Sequence, residues 1–498
     1  MSTLADVLSP DYADRTAVII PDSGPTLTYA EARAEVELLA ATLKRGGIQA
    51  GDSVSIVLPN GLEFLTTFLA VTWARGIAAP LNPAYTAEEF QFYMKDTETC
   101  AVIVSPGEHP AREAAAALNV PIWEVRLDAN GVVQLKPPSA TSASVSDDGP
   151  QPEDVALFLH TSGTTSRPKG VPLTHGNLTT SLGNIVNTYD LTPQDVSLIV
   201  MPLFHVHGLL GATLSTLSSG GTVIVPPRFS ASSFWQHVTT HGANWYSAVP
   251  TIHQILLARA DDDGAPNGVL RFIRSCSAAL APAVFSRLEE RFGAPVLEAY
   301  GMTEASHQMS SNLFPPGLRK PGTVGIGTGV EITILDEQGV ELPKGVQGEV
   351  SIRGRNVTKG YHNNPEANVS AFTNGWFRTG DQGFIDDDNY LTLTGRLKEL
   401  INRGGEKISP LEVDAVMLEH PAVAEAVCFG VPDEKYGEEV HVAVVLKGEA
   451  DEEELIAFCR DRLADFKTPK KLYISDTLPR TATGKIQRRI VSAHFRES

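Results

Sequence analysis

Apolar residues recur at helical spacing through residues 30–45, stop at Gly46-Gly47, and give way to a short unbroken apolar run, Val54–Leu58. A second helix-like stretch covers 62–75, and another strand-like one follows before about Val104. This alternation predicts βαβ units on a parallel sheet. Residues 137–153, PPSATSASVSDDGPQPE, break the rhythm, and their Pro, Ser and Asp content predicts a surface connection between subdomains. Strand-like runs then resume at 155–159, 197–201, 222–225, 244–248, 271–275 and 295–299, separated by helix-length segments.

After about Val324 the pattern changes to short strands with Gly-bearing turns, VEITILDEQGVEL and GEVSIRG, which predict a small antiparallel β subdomain. From about Lys398 a compact α+β pattern follows. It reads as a strand at LKELI, a helix from Ser409-Pro410 to Glu419, strands near 422–429 and 440–446, a helix at 452–464 and a last helix entering at Gly484. The expected organisation is a large domain over 1–395 and a small one over 396–498, the latter within the usual size of a domain.

Composition narrows the classes of function. The 498 residues are 42% hydrophobic and 20% charged, which fits a globular protein and not a disordered one. Forty Lys and Arg against 59 Asp and Glu give a net charge of −19, which argues against nucleic acid or an anionic membrane as the partner. No apolar run approaches the roughly 18 residues of a membrane helix. Cys100, Cys276, Cys428 and Cys459 are scattered with no C-x-x-C pair, so neither a zinc site nor a disulfide framework is expected. The first residues lack the pattern of a signal peptide and the last three are not a peroxisomal S-K-L, so a cytosolic (cytoplasmic) location is expected. Oligomeric state is not written in the pattern, and a monomer is compatible with it.

The segment that carries chemistry is VALFLH running into Thr161-Ser162-Gly163-Thr164-Thr165-Ser166-Arg167-Pro168-Lys169-Gly170. A loop crowded with hydroxyls and glycines, with a lysine, offers backbone N–H groups, Oγ donors and an ammonium to polyphosphate. It is not a Walker A loop, because Gly170 and Val171 follow Lys169 where that motif needs Ser or Thr and a helix.

TSGTTSRPKG resembles the phosphate loop of the adenylate-forming superfamily, which includes acyl-CoA synthetases, luciferases and peptide-synthetase adenylation domains. Further blocks follow in that superfamily's order: YGMTEA at 300–305, GEVSIRG at 348–354 with Gly360-Tyr361, WFRTGD at 376–381, GRLKELI at 395–401 and PRTATGK at 479–485. The resemblance implies an α/β multidomain fold, with two α/β subdomains plus a small β-barrel in the N-terminal domain and a small mobile α+β C-terminal lid. It also implies two half-reactions: a carboxylate attacks the α-phosphate of Mg-ATP, and a thiol, here coenzyme A, then displaces AMP.

Roles implied residue by residue are as follows. Thr161–Ser166 and Lys169 would hold the β- and γ-phosphates, and Tyr300 would stack on adenine beside Glu298, Ala299 and Gly301. Thr303 would contact the α-phosphate, Glu304 would hold Mg²⁺, Asp381 would accept from the ribose hydroxyls and Arg396 would assist there. Lys485 would bridge carboxylate and α-phosphate, and Arg403, Gly404 and Gly405 would line the path of the pantetheine thiol.

The acid pocket is expected along PLFHVHG at 202–208, RSCSAA at 274–279 and the stretch after Glu304. A long or aromatic acid would need apolar surface there. The candidates are polar: His205, His207, Ser277, beside it Ala278, and His307, with Ser277 standing where many relatives have glycine. Such donors favour a short acid with a second anionic end, because a buried carboxylate without partners is very costly. The runs RSCSAALAP, VTKGYHNNPEAN, ELINRGGEKISP and GVPDEKYGEE are similar to a plant and fungal group of the superfamily that acts on oxalate. Oxalate is therefore the implied acid, with another short or medium acid or 4-coumarate as the alternative.

Overall fold

The computed structural model describes residues 1–138, 148–161, 168–481 and 486–496. Strands Val133–Lys136, Ile122–Leu127, Ala101–Val104, Ser53–Val57, Ile77–Pro80, Val155–Thr161 and Lys169–Thr174 lie side by side in that order as a seven-stranded sheet. Its five middle strands are parallel and its two edge strands antiparallel. Every residue of Ser53–Val57 is buried, as a parallel strand covered on both faces must be.

A second, nine-stranded sheet has six parallel strands at its centre: Thr16–Ile19, Thr222–Ile224, Val196–Leu198, Trp245–Ala248, Phe272–Ser275 and Val296–Met302. At one edge the chain turns back from Val296–Met302 into antiparallel His307–Ser311. Residues of both sheets join one apolar core around the buried helix Leu62–Trp73. Capping boxes start the flanking helices: Thr28 with Glu31 opens Tyr29–Arg45, and Thr174 with Asn177 opens His175–Thr188.

The β subdomain expected after Val324 is a five-stranded antiparallel sheet built on the long strand Trp376–Ile385, which pairs with Gly348–Arg353, Phe372–Thr373 and Leu391–Arg396, while Glu331–Leu335 pairs with Gly348–Arg353. The C-terminal residues have a core of their own. Strands Val423–Asp433 and Gly437–Leu446 pack Val413, Met417 and Leu455 from helices Pro410–Leu418 and Glu452–Arg460 on one face. Val491 and Phe495 of helix Arg488–Arg496 pack on the other. This unit touches the rest of the chain where Gln254 Nε2 donates to the Ala424 carbonyl (3.2 Å) and Arg480 donates to Thr251 Oγ1 (2.9 Å).

Most of the expected elements are present with ends shifted by one to three residues. Two expectations need correction. LKELI is not a strand: Leu397–Glu399 form a turn closed by Glu399 N–H to the Arg396 carbonyl (2.8 Å), and pairing restarts at Ile401–Arg403. The last helix spans Arg488–Arg496 and does not begin at Gly484, which lies outside the described residues. All four cysteines are free thiols. No helix of the described residues is long and apolar enough to cross a membrane.

Arg488 anchors the last helix by donating to the Cys428 carbonyl (2.8 Å) and pairing with buried Asp414. Removing one member of a buried pair leaves the other charge uncompensated, so Arg488→Met should cost about 3–5 kcal/mol of C-terminal domain stability. Denaturant unfolding of the variant checks this, and a cost below about 1 kcal/mol would contradict it.

Candidate active site

The nucleotide candidates come from three sheets: Thr161 and Lys169 from the seven-stranded one, Tyr300 from the nine-stranded one, and Asp381 and Arg396 from the five-stranded one. Thr161 and Lys169 are partners on the paired strands Val155–Thr161 and Lys169–Thr174, while Ser162, Gly163, Thr164, Thr165 and Ser166 lie outside the described residues. Lys169 Nζ sits 4.4 Å from the centroid of the Tyr361 ring, and the Tyr361 hydroxyl donates to Glu304 Oε1 (2.8 Å). Burial lowers the Lys169 pKa and raises that of Glu304, while Tyr361, Arg396 and Lys169 pull Glu304 back toward its charged form. Thr358 ties the same corner together, its N–H donating to the Glu304 carbonyl (2.7 Å) and its hydroxyl to the Pro172 carbonyl (2.9 Å).

Tyr300 donates its hydroxyl to Asp381, and Arg396 Nε lies 3.0 Å from the other carboxylate oxygen. The Asp381–Arg396 contact follows from register, since the two residues are cross-strand partners. Asp381 keeps acceptor capacity beyond these two donors, because a carboxylate offers about four lone-pair sites. Thr303 opens the short turn Thr303–Ala305 that carries Glu304. Ala299 is buried in the ladder opposite Ser311.

Glu298 plays a part that the sequence reading did not foresee. Its carboxyl is buried and pushed up to about 8 by that burial, so it is largely neutral at pH 7. One oxygen accepts the Leu280 N–H (3.0 Å), which fastens the far end of the loop carrying Ser277.

The acid candidates form a second cluster, in which His307 opens the return strand His307–Ser311 of the hairpin begun by Val296–Met302 while His205, His207 and Ser277 come from other segments. Gly301 pairs with Gln308 and Met302 with His307. A Cβ at Gly301 would lie 2.1 Å from the His307 carbonyl oxygen, so only glycine permits this approach. His207 and His307 stack with ring centroids 5.2 Å apart, and His207 Nδ1 lies 3.0 Å from Ser277 Oγ. Ser277, Ser306 and His307 have φ of 75°, 51° and 93°, conformations that cost on the order of 1–3 kcal/mol each for non-glycine residues and cluster at ligand sites. Ser181 donates to the Ser306 carbonyl (2.6 Å), Ser306 to the Asn356 carbonyl (2.9 Å) and Asn356 to the Ala305 carbonyl (2.8 Å), which holds the strained turn at Ser306 in place.

His207 belongs to a helix whose middle, Leu209–Leu214, is a π-helical segment, a feature common at functional sites. Gly211 in that segment lets it approach His307: a Cβ there would lie 2.5 Å from Nε2. His205 caps the helix, accepting the His207 N–H (3.3 Å), and Ala278 is exposed beside Ser277.

Arg403, Gly404 and Gly405 are elsewhere. Gly404 and Gly405, with φ of 62° and 93°, form the two-residue turn joining Ile401–Arg403 to Glu406–Ile408, a geometry that demands glycine-like residues. Arg403 stacks over Tyr436 (4.4 Å) and pairs with Glu439, and the two glycines are exposed. Lys485 lies outside the described residues, whereas Arg480 of the same block bridges Glu425 and Thr251. Residues that the sequence reading assigned no role are Tyr361, Asn356 and Ser247, while Arg274 was expected only as part of the pocket-lining run 274–279. Tyr361 and Arg274 stood in recognisable blocks.

A hydroxyl-rich hairpin, a Tyr-Asp-Arg cluster and a carboxylate turn, with a small domain appended, define an adenylate-forming enzyme. Residues 9–362 match the family of AMP-binding enzymes and 412–485 its C-terminal domain, and the chain belongs to that family. An oxalate–CoA ligase of Arabidopsis thaliana is 53% identical, over 100% of this chain and 99% of its own. An oxalate–CoA ligase of Saccharomyces cerevisiae is 48% identical, over 98% and 96%. The ATP-bound crystal structure of MatB from Rhodopseudomonas palustris superposes with a TM-score of 0.88 at 31% identity, covering 100% of this chain and 99% of that one.

Tyr361→Phe removes a hydrogen bond to a buried carboxylate, worth about 1.5–3 kcal/mol. The kcat/KM for ATP should fall by roughly 10–150-fold. Because the lost donor favoured the ionised form of Glu304, the acid limb of the pH profile should move upward. An unchanged limb would detach Tyr361 from the function of Glu304.

Proposed function

We propose that this chain is an AMP-forming acid–thiol ligase that joins oxalate to coenzyme A. In the first half-reaction an oxalate oxygen forms a bond to the α-phosphorus of ATP as the bond to pyrophosphate breaks. In the second, the CoA sulfur bonds to the activated carbonyl carbon, its proton passes to solvent, and AMP leaves with the electrons of the C–O bond.

The observation that carries the choice of acid is the polar cluster in which Ser277, from the loop after Phe272–Ser275, and His207, from the helix Val206–Gly208, meet His307 on the hairpin that also bears Tyr300. An aromatic or long-chain acid would bury its apolar surface against hydroxyl and imidazole groups there and gain little. The full-length oxalate–CoA ligase relatives support the same reading, and they favour it over 4-coumarate.

Asp381 and Arg396 are assigned to the ribose, Tyr300 to adenine, and Thr161, Lys169 and Thr303 to phosphate oxygens. Glu304 fits Mg²⁺, which typically takes one or two carboxylates with substrate phosphates and water completing its shell. When bound, the ion neutralises phosphate charge. Lys485 is assigned to the charge that develops between carboxylate and α-phosphate, and the Gly404–Gly405 turn to the second half-reaction, in which a lid rearrangement brings it to the thiol path. A cytosolic location accords with the lack of a membrane-spanning helix among the described residues.

AMP release with Mg-ATP and CoA across oxalate, malonate, acetate, octanoate and 4-coumarate tests the assignment. Oxalate should give the highest kcat/KM, and preference for octanoate or 4-coumarate would overturn it. Ser277→Ala and His307→Ala should each lower kcat/KM for oxalate by roughly 10–150-fold, the worth of a hydrogen bond to a charged group, and lower that for acetate less. Parallel losses would mean that these residues do not read the second carboxylate. Lys485→Ala should slow oxalyl-AMP formation by about 10²–10³ and spare thioester formation from supplied oxalyl-AMP. Equal loss in both half-reactions would contradict its assignment.

A further inference from the structure

Arg274 is fully buried in the middle of the nine-stranded sheet, and no acid answers its charge among the described residues. Its guanidinium donates to the Tyr189 hydroxyl (2.8 Å), Ser247 Oγ (2.8 Å), His307 Nε2 (3.0 Å) and Gln308 Oε1 (3.0 Å). A buried cation normally requires a counter-charge. Here neutral acceptors take its N–H groups, and two of those acceptors lead toward the acid cluster.

A guanidinium can only donate, and that fixes the protons beyond it. His307 Nε2 must accept, so the ring proton of a neutral His307 sits on Nδ1. On the other arm Ser247 Oγ accepts from Arg274 and lies 2.7 Å from His207 Nε2. A second donor at that oxygen would leave the serine proton without an acceptor among its described contacts. Ser247 therefore donates to His207 Nε2, His207 Nδ1–H donates to Ser277 Oγ (3.0 Å), and the Ser277 proton is left to point onward. Each link polarises the next, which strengthens the terminal donors.

We propose that Arg274 is the positioning residue of the acid site, orienting one chain through Ser247, His207 and Ser277 and another through His307 so that both end in donors to the non-reacting carboxylate. The positive charge behind the two chains suits a dianion held beside ATP. The identity of that ligand rests on the oxalate reading given above, whereas the direction of donation rests on Arg274 and on the acceptor that the Ser247 proton needs.

The wild-type enzyme, labelled with ¹⁵N at histidine, tests the direction. At neutral pH the ring nitrogens of His207 and His307, assigned by their loss in His207→Gln and His307→Gln, should each show a proton on Nδ1 and a bare Nε2. A proton on Nε2 of either ring overturns the proposal. In steady-state assays Arg274→Lys keeps the charge but loses the fork, and should raise KM for oxalate by about 10–100-fold while KM for ATP and kcat change less than about 3-fold, the pattern of lost uniform binding. Arg274→Met should do the same more severely. Equal rises in KM for oxalate and ATP would reduce Arg274 to a structural residue and overturn the proposal. Failure of the wild-type enzyme to release AMP with oxalate would instead sink the oxalate reading, and the tautomers would still decide the role of Arg274.

Discussion

Under the proposed function an acid with two adjacent negative charges is held beside a nucleotide triphosphate, and the buried Arg274 answers that repulsion. A surface arginine could screen it, but a flexible, hydrated cation would select no geometry. The fold instead sinks Arg274 into a parallel sheet, where Phe272–Ser275 is flanked by Trp245–Ala248 and Val296–Met302. Coulombic attraction is strong in such surroundings because little solvent screens it. Neutral partners lower the cost of burial without cancelling the charge, and the field stays available to whatever enters the site.

The same requirement accounts for the backbone strain. Rigid donors are useful only if they cannot turn away: Ser277, Ser306 and His307 have left-handed backbones, and Ser306, next to His307, is held by bonds with Ser181 and Asn356, the latter also holding the Ala305 carbonyl. Glu298 adds a clamp from below through Leu280. Its neutral carboxyl costs less to bury than a charged one would and adds no negative charge to a site that must accept anions.

Local blocks of sequence made much of the site legible. The residue types of Thr161 to Lys169 suit phosphate, whereas Tyr300 to Glu304 and Asp381 were picked out by the resemblance of their blocks to the superfamily, and the βαβ rhythm located most of the strands. Arg274 stood in the expected pocket run, but its meeting with Ser247 was illegible because it depends on register: they are partners on adjacent strands 27 residues apart. Nothing in a single sequence distinguishes an arginine buried on neutral acceptors from one that reaches solvent. LKELI misled because its composition suits a strand, whereas backbone bonding of Glu399 and Leu400 to the Arg396 carbonyl makes it a turn. Gly404-Gly405 suggested space for a thiol, and the local reason for glycine is the tight turn they form.

The contact of Gly301 with the His307 carbonyl has a consequence for how such an enzyme can diversify. Position 301 lies in the adenine-side block and position 307 in the acid cluster, yet the two backbones touch. Any side chain at 301 would displace His307, the residue proposed to bind the acid, so on that proposal the nucleotide side of the hairpin is frozen by the specificity side. New acid preferences are therefore reached by exchanging side chains at 277 and 307 while the backbone stays still. The hairpin behaves as a fixed jig into which different tools are set, and drift at 301 closes routes that drift at 277 leaves open.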